Sequence, residues 1–255
     1  NGLPLTFDGK IILYDTEQQI DINFKTPTSS FKNFLAVMPK EYSSKLDDVK
    51  TEGDFTVNGY FKGANNDFRI PGFEINIASN NASFKYPNLP KGVNDITIKT
   101  LIKNETGLTK DTYVNIDALN FRIDQDVFKS SANIVNLTTN PVVNAVLKGT
   151  INLANISRSY PVKMEQKLSG ILKMDVTTSF DMEAVEKSNY ARIKNNGNVM
   201  LTDFIYISSD FINPFNIAKA SVNFTPQQII LNQFNATTGK TDISATGTLQ
   251  DVIGF

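Results

Sequence analysis

The chain has 255 residues, of which 40% are hydrophobic, and its 25 basic and 26 acidic residues give a formal net charge of −1. This balance argues against an electrostatic nucleic-acid binder, which needs a basic face, and no apolar run is long enough to predict a membrane-spanning helix. Cysteine, histidine and tryptophan are absent, which excludes a Cys/His zinc site, a Ser-His-Asp triad and a Cys-His catalytic pair.

The amino-terminal residues NGLPLTFDGKI already lie in an alternating pattern, without an initiator methionine or a charged-then-apolar leader. We therefore expect this chain to be a piece of a longer protein whose anchor or signal lies outside it. Two short strand-like segments follow within residues 5–24.

Residues 29–49 change to a helical period. Ser29 or Ser30 can cap the start, because a serine hydroxyl accepts a hydrogen bond from an unpaired backbone amide. Pro39 interrupts the stripe and predicts two short helices rather than one, packed against a sheet. The apolar residues at spacings of three and four are Phe31, Phe34, Leu35, Met38, Tyr42, Leu46 and Val49.

From Gly53 onward the period becomes two, with apolar residues on one face and polar residues on the other, which is typical of antiparallel sheets. Between Ala118 and Leu119 the alternation slips by one residue, which indicates a β-bulge or a bend. Strands are predicted near residues 54–61, 73–79, 94–100, 113–124, 131–137, 142–153 and 167–180.

The segment DMEAVEKSNYARIK predicts a second helical insertion near residues 181–193. Asp181 can cap its start, and the NNG sequence at Asn195–Gly197 predicts a turn that ends it. Strands then resume in NVMLTDFIYIS, AKASVNF, QIILNQFNA and TDISATGTLQ.

Glycines recur inside the strand patterns, as in GYFKG, LKGTINL, LSGILKM and ATGTLQD. Glycine weakens a strand unless it permits bending or close approach, so this recurrence favours a curved sheet. The segment FKYPNLPKG (residues 84–92) places two prolines between two strands and predicts a rigid corner.

These patterns predict a mostly β fold: one large, curved antiparallel sheet over residues 1–255, shaped as an open groove or half-barrel, with two short helical insertions. The alternative is a β-sandwich or closed barrel, in which the apolar faces pack on each other. Strand phase assigns the candidate residues of the concave apolar face, which are Phe73, Ile75, Ile77, Phe121, Ile123, Val222, Phe224, Ile243 and Leu249.

Scattered carboxylates are the only groups that suggest catalysis. A glycosidase would need two of them to converge in a cleft, and carboxylates such as Asp124 and Asp126 are better interpreted as turn and surface charges. Sugar-binding sites also rely on exposed aromatic side chains, and this chain has no tryptophan. We therefore predict no enzyme, no catalytic residue, no metal and no cofactor.

The order of several segments resembles the carboxy-terminal region of AsmA-family proteins of the Bacteroidetes type, over nearly the whole chain. The segments are FKTPTSSFKNFLAVMPKEY, VKTEGDFTVNGYFKG, SFKYPNLPKGVNDITIKTLIKNETG, NPVVNAVLKGTINLANI, KLSGILKMDV, AVEKSNYARIKNNGNVML and FTPQQIILNQFNATTGKTDISATGTLQDVIGF.

The resemblance implies a periplasmic envelope protein whose parent is tethered to the inner membrane by one helix outside this chain. Relatives such as TamB, YhdP and the eukaryotic bridge-like lipid-transfer proteins form long curved sheets whose apolar face can cradle acyl chains. The implied function is a non-enzymatic module for phospholipid transport and outer-membrane biogenesis, and the implied partners are a phospholipid or other acyl-chain lipid and envelope proteins. The alternative is a periplasmic scaffold that binds no lipid.

Overall fold

The structure is a computed structural model that describes residues 3–27, 29–33, 49–159, 169–189, 192–207, 212–225 and 227–250. Its strands form a single 14-stranded sheet. The strands are β1 (Thr6–Leu13), β2 (Gln18–Lys25), β3 (Lys50–Glu52), β4 (Thr56–Asn65), β5 (Gly72–Lys85), β6 (Val93–Asn104), β7 (Tyr113–Ile123), β8 (Asp126–Val135), β9 (Val142–Asn152), β10 (Ile171–Asp181), β11 (Lys194–Tyr206), β12 (Phe215–Phe224), β13 (Gln228–Thr238) and β14 (Thr241–Gln250).

The sheet is a meander in which each strand pairs antiparallel with the next along the chain, except that β2 pairs with β4 and the short β3 pairs with β5. It is not closed, since β1 and β14 lie at opposite edges. The prediction of a mostly β fold with one open antiparallel sheet is therefore confirmed, and the alternative of a closed barrel or a two-sheet sandwich is wrong for the part of the chain described.

The predicted irregularity in β7 is also confirmed. Ile116 pairs with Thr100 and Ala118 pairs with Lys99, so Asp117 is an extra residue in β7 relative to β6. Because this bulge resets the alternation, Leu119 and Phe121 lie on the same face of the sheet as Ile116.

Within the described residues from β4 onward, two short α-helices interrupt the meander: α1 (Ala154–Ser159) follows β9, and α2 (Met182–Glu186) follows β10. A 3-10 helix also spans Thr109–Asp111 between β6 and β7. The sequence did not predict α1.

The second helical insertion is confirmed in part. Asp181 caps α2 by accepting a hydrogen bond from the backbone amide of Ala184 at 3.1 Å. The helix, however, ends at Glu186, and the turn predicted at Asn195–Gly197 is wrong. Those residues lie inside β11, because Gly197 takes a φ of +129° within the strand and allows the pairing with β10 to continue.

Most of the first helical insertion, residues 34–48, lies outside the described residues. Residues 31–33 are helical and follow directly after the predicted cap, where the Ser29 hydroxyl accepts a hydrogen bond from Asn33 Nδ2 at 3.1 Å. The interruption predicted at Pro39 therefore remains a prediction.

One hydrophobic cluster covers the sheet near its amino-terminal strands. Phe31 and Phe55, which are 2% and 1% exposed, lie over β2, β4, β5 and β6 and are the most deeply buried large side chains in it. We call this set the amino-terminal cluster; its buried members are Phe24, Phe31, Val49, Phe55, Val57, Ala82, Tyr86, Val93, Ile96, Ile98 and Ile123.

The corner predicted in FKYPNLPKG belongs to this cluster. Phe84 and Tyr86 both face it, with ring centroids 6.1 Å apart in an edge-on arrangement. The backbone amide of Lys91 then donates to the carbonyl of Arg158 in α1 at 3.0 Å. The segment therefore joins β5 to β6 and also holds α1 at the same end of the sheet.

Candidate functional site

The pairing register sorts the side chains of the sheet into two faces. Residues directly opposite each other on paired strands lie on the same face, so the chain of partners can be followed from one strand to the next. We call one face apolar and the other polar. Ile75, Ile102, Val114, Ile134 and Val143 form one run of partners on the apolar face.

Three parallel rows on the apolar face, which we call the apolar patch, cross the carboxy-terminal strands. Ser130 is the only member with a polar side chain, and none is charged. The rows are Phe121, Phe128, Gly149, Met174, Val199, Val222, Leu231 and Gly247; Leu119, Ser130, Leu147, Val176, Gly197, Phe224, Ile229 and Leu249; and Ile151, Leu172, Leu201, Ala220, Phe234 and Ala245.

The dimensions of the patch follow from sheet geometry. Its two long rows run from β7 to β14, which is seven spacings of about 4.8 Å each, or about 34 Å in all. Neighbouring rows lie two residues apart along each strand, a spacing of about 7 Å, except on β13, where a bulge sets Leu231 and Phe234 three residues apart. The patch is therefore long and narrow, like an extended hydrocarbon chain.

No described helix or strand forms a second layer over the apolar patch. The strands of the patch make their main contacts with their neighbours in the sheet, and α1 and α2 contact β9 and β10. Most side chains of the patch are half-buried, and Leu119 and Leu249 are 41% and 55% exposed. The described residues thus leave a continuous apolar surface that remains accessible to a ligand.

The structure places all the predicted lining residues on the apolar face. Phe121, Val222, Phe224 and Leu249 lie within the apolar patch, and Ile243 lies beside it, opposite Ala236. The sequence identified these five residues from strand phase alone.

The remaining candidates lie at the amino-terminal end of the apolar face. Ile75 and Ile77 pack against the amino-terminal cluster, as does Phe121 at the β7 end of the apolar patch. Phe73 contacts Phe61 with ring centroids 5.6 Å apart. Ile123 is 6% exposed and belongs to the cluster itself, so packing occupies its surface. The central residues Met174, Val199 and Leu201 were not chosen from the sequence, although the same alternation could have identified them.

The polar face carries cross-strand ion pairs. Lys148 Nζ lies 2.5 Å from Asp175 Oδ2, and Lys99 Nζ lies 3.0 Å from Asp117 Oδ2. A hydrogen bond from Asn76 and the nearby Lys103 ammonium hold the pKa of Glu74 below its usual range. Charged side chains are thus concentrated on the face opposite the apolar patch, and the sheet is strongly amphipathic.

A groove of about 740 Å³ crosses β7 to β11 on the polar face. Its walls carry amide and hydroxyl side chains that bond one another, since Asn133 donates to Asn115 at 2.7 Å and Ser179 donates to Asn144 at 2.7 Å. The charged Asp117 and Lys194 and the apolar Val146 also line it. An acyl chain here would displace water from these polar and charged groups without replacing its hydrogen bonds, so the groove suits hydrocarbon less well than the apolar patch does.

The carboxylates singled out in the sequence have structural partners. Asp124 lies in the turn between β7 and β8 and forms a salt bridge with Lys91. Asp126 accepts hydrogen bonds from the amide of Asn152 at 2.9 Å and from Asn155 Nδ2 at 2.7 Å. Both residues thus organise the end of the sheet near α1.

A metal site and a membrane-spanning helix are both absent from the described ranges. There, no group of three or more acidic side chains is arranged to hold a metal ion. No helix in the same ranges is long and apolar enough to cross a bilayer.

Comparison of this chain with models of protein families, with curated proteins and with solved structures found no match.

Proposed function

We propose that this chain is a non-enzymatic envelope module that binds lipid acyl chains along the apolar patch and thereby supports phospholipid transport and outer-membrane biogenesis. The observation that carries the proposal is the patch itself: an uncharged apolar strip about 34 Å long on a sheet with a strongly polar opposite face. Large exposed apolar surfaces on soluble domains are typically binding sites.

The energetics of burial suit a ligand of this kind. Removing a methylene from water is worth ~0.8 kcal/mol, so a sixteen-carbon chain would gain on the order of 10 kcal/mol before its ordering costs. Because that gain needs no directed polar contact, the patch can hold hydrocarbon without a sequence motif. The same property lets a chain slide along the rows, since each row offers similar apolar side chains from strand to strand.

The resemblance of the seven sequence segments to AsmA-family proteins supports the envelope setting of this proposal. In that setting the lipid is a phospholipid or another acyl-chain lipid, and the parent protein lies in the periplasm, tethered to the inner membrane by a segment outside this chain. Other envelope proteins are the expected protein partners.

The first test measures lipid bound to the protein after expression in a bacterial host, by native mass spectrometry and by solvent extraction. Val222→Asp places a carboxylate in the middle of the patch, and we expect it to lower lipid occupancy at least about tenfold, because a charge must be desolvated under hydrocarbon. Asn223→Asp is the matched control, since Asn223 is the next residue along β12 and lies exposed on the polar face.

Leu249→Asp is a second variant. Val222 is half-buried, whereas Leu249 is 55% exposed at the edge of the sheet, so this substitution does not place a charge at a half-buried position. We expect it to reduce occupancy less than Val222→Asp. A folded wild-type protein that carries no lipid, or equal lipid in Val222→Asp and Asn223→Asp, would contradict lipid binding and favour a scaffold.

A further inference from the structure

We propose that β14 is the contact edge of a two-fold symmetric dimer, in which it pairs antiparallel with β14 of a second copy of this chain. The inference concerns assembly and goes beyond the proposed lipid binding, so either can fail without the other. It rests on two features of β14: an unprotected edge and a self-complementary sequence.

No described strand pairs with the outer edge of β14. Among the strands that the structure describes, β14 pairs with β13 alone, so one line of its backbone amides and carbonyls faces outward. Every residue of β14 is exposed except Ile243, which is half-buried.

Natural edge strands are usually protected by lysine, proline or a bulge, which prevent a further strand from adding. From Thr241 to Gln250 the sequence contains one charged residue, Asp242, and neither lysine, arginine nor proline. The opposite edge differs, because β1 contains Lys10 and has Gly9 at a φ of +144°. β14 is therefore the edge that lacks protection.

The sequence of β14 fits a copy of itself in one register. A two-fold axis perpendicular to the sheet at Thr246 makes the strands antiparallel and keeps both apolar faces on the same side. It sets Ile243 opposite Leu249 and Ala245 opposite Gly247 on the apolar face, and Asp242 opposite Gln250 and Ser244 opposite Thr248 on the polar face.

These pairs are complementary in size and in charge. The large residue Ile243 meets Leu249, a carboxylate meets an amide, and no two like charges are opposed. Moving the axis by two residues to Ser244 sets Ile243 against Ala245 and leaves Leu249 without an opposing residue in the strand. A register centred on Ala245 overlaps equally many residues, but it sets Ile243 opposite Gly247 and Leu249 opposite Thr241. The register centred on Thr246 is therefore the better matched one.

The dimer has a structural consequence for the apolar face. Because a two-fold contact uses the same edge of both copies, the assembly closes at two chains and does not extend as a filament. The apolar patch of one copy then continues directly into that of its partner across the β14 pair. The accessible apolar strip would be doubled in length.

The register can be tested by cross-linking because the chain has no cysteine of its own. A disulfide formed by a single introduced cysteine can then join only that position to the same position in the second copy. In the proposed register, two Thr246→Cys residues face each other with Cα atoms about 4.5–5.5 Å apart, within the range of a disulfide. Two Thr248→Cys residues lie about 14 Å apart, since each faces Ser244 of the other copy.

We expect oxidation to give a covalent dimer with Thr246→Cys and little with Thr248→Cys, and we expect analytical ultracentrifugation of the wild-type protein to show a concentration-dependent dimer. Thr246→Lys opposes two like charges at the axis and should weaken the dimer about fivefold. Ser244→Lys with Thr248→Asp opposes lysine to aspartate twice and should strengthen it.

The outcomes that overturn the proposal are equally direct. A wild-type protein that stays monomeric at every concentration tested would reject the dimer. Equal cross-linking of Thr246→Cys and Thr248→Cys, or an unchanged dimer in Thr246→Lys, would reject this edge and this register. All these positions are exposed, so circular dichroism should show the same folded monomer for each variant.

Discussion

At the scale of single residues, Asp181 links α2 to its surroundings through one carboxylate. Its oxygens accept hydrogen bonds from Asn140 Nδ2 at 2.9 Å and from the Ala184 amide at 3.1 Å, and Arg192 lies 2.8 Å away. The hydrogen bond from Asn140 is the main cause that lowers the pKa of Asp181, with the Ala184 amide and Arg192 adding to it. The charged form is therefore favoured in the folded protein.

A lowered pKa in the folded state gives this carboxylate a stability contribution with a defined pH range. The contribution is complete above the unfolded pKa of about 4 and is lost as the pH falls through the lower folded pKa. In Asp181→Asn the amide can still cap α2, but it has no charge to titrate.

We therefore expect Asp181→Asn to lower the free energy of unfolding at pH 7 and to have less effect as the pH falls below about 4. Urea denaturation between pH 7 and pH 2 measures the free energy of unfolding of the wild-type protein and of the variant. Subtracting one from the other at each pH removes the contribution of the other carboxylates. Parallel curves over the whole range would show that Asp181 does not titrate in the manner described.

Some features at single residues could be predicted from the sequence alone, and others could not. The cap at Asp181 and the bulge near Ala118 follow from local patterns, and the structure confirms both. Ile123 has the same phase as Phe121, yet it lies in the amino-terminal cluster. Its burial depends on segments distant in the sequence, so alternation could not distinguish it from an accessible residue.

At the scale of elements, two glycines in the strands of the apolar patch differ in whether a side chain would fit at their position. Gly197 in β11 has a φ of +129°, and a Cβ added there would overlap the carbonyl oxygen of Asp175 in β10. Gly247 in β14 has no described atom within 4 Å of the position that a Cβ would take. Close approach thus explains the first glycine, whereas the structure shows no steric need for the second.

We expect Gly197→Ala to destabilise the protein by on the order of 3 kcal/mol, because it combines a strained backbone conformation with a steric clash. Gly247→Ala, the matched control in the same sheet, should change stability by less than about 0.5 kcal/mol. Thermal and chemical denaturation provide the comparison. Equal stability of the two variants would contradict the close pairing of β10 and β11 at Gly197.

Elements with a clear period could be predicted from the sequence, and those defined by tertiary contacts could not. The strands were identified because alternation persists over many residues. α1 has only six residues and no apolar stripe, and it is held by Asn155, which donates to Asp126, and by Arg158, which accepts from Lys91. These partners come from other parts of the chain, so the local sequence does not predict the helix.

At the scale of the whole molecule, the antiparallel sheet and the shared face of the candidate residues followed from strand phase, because each strand fixes which side chains lie together. Whether the sheet is open or closed did not follow from it. The position of the amino-terminal cluster did not, since it depends on where residues 29–33 and 49–55 fold back over the sheet. Beyond Phe121, which packs against that cluster, the apolar rows lie away from it, and this contrast is the basis for placing lipid binding there.

The central claim is that hydrocarbon lies on the apolar patch, and the lack of tryptophan allows a direct measurement of it. A single tryptophan introduced as Val222→Trp reports on the patch, and Asn223→Trp reports on the polar face of the same strand. Phospholipids with brominated acyl chains quench tryptophan fluorescence only on contact. We predict strong quenching of Val222→Trp and little quenching of Asn223→Trp; equal quenching of the two, or none in either, would contradict lipid binding at the apolar patch.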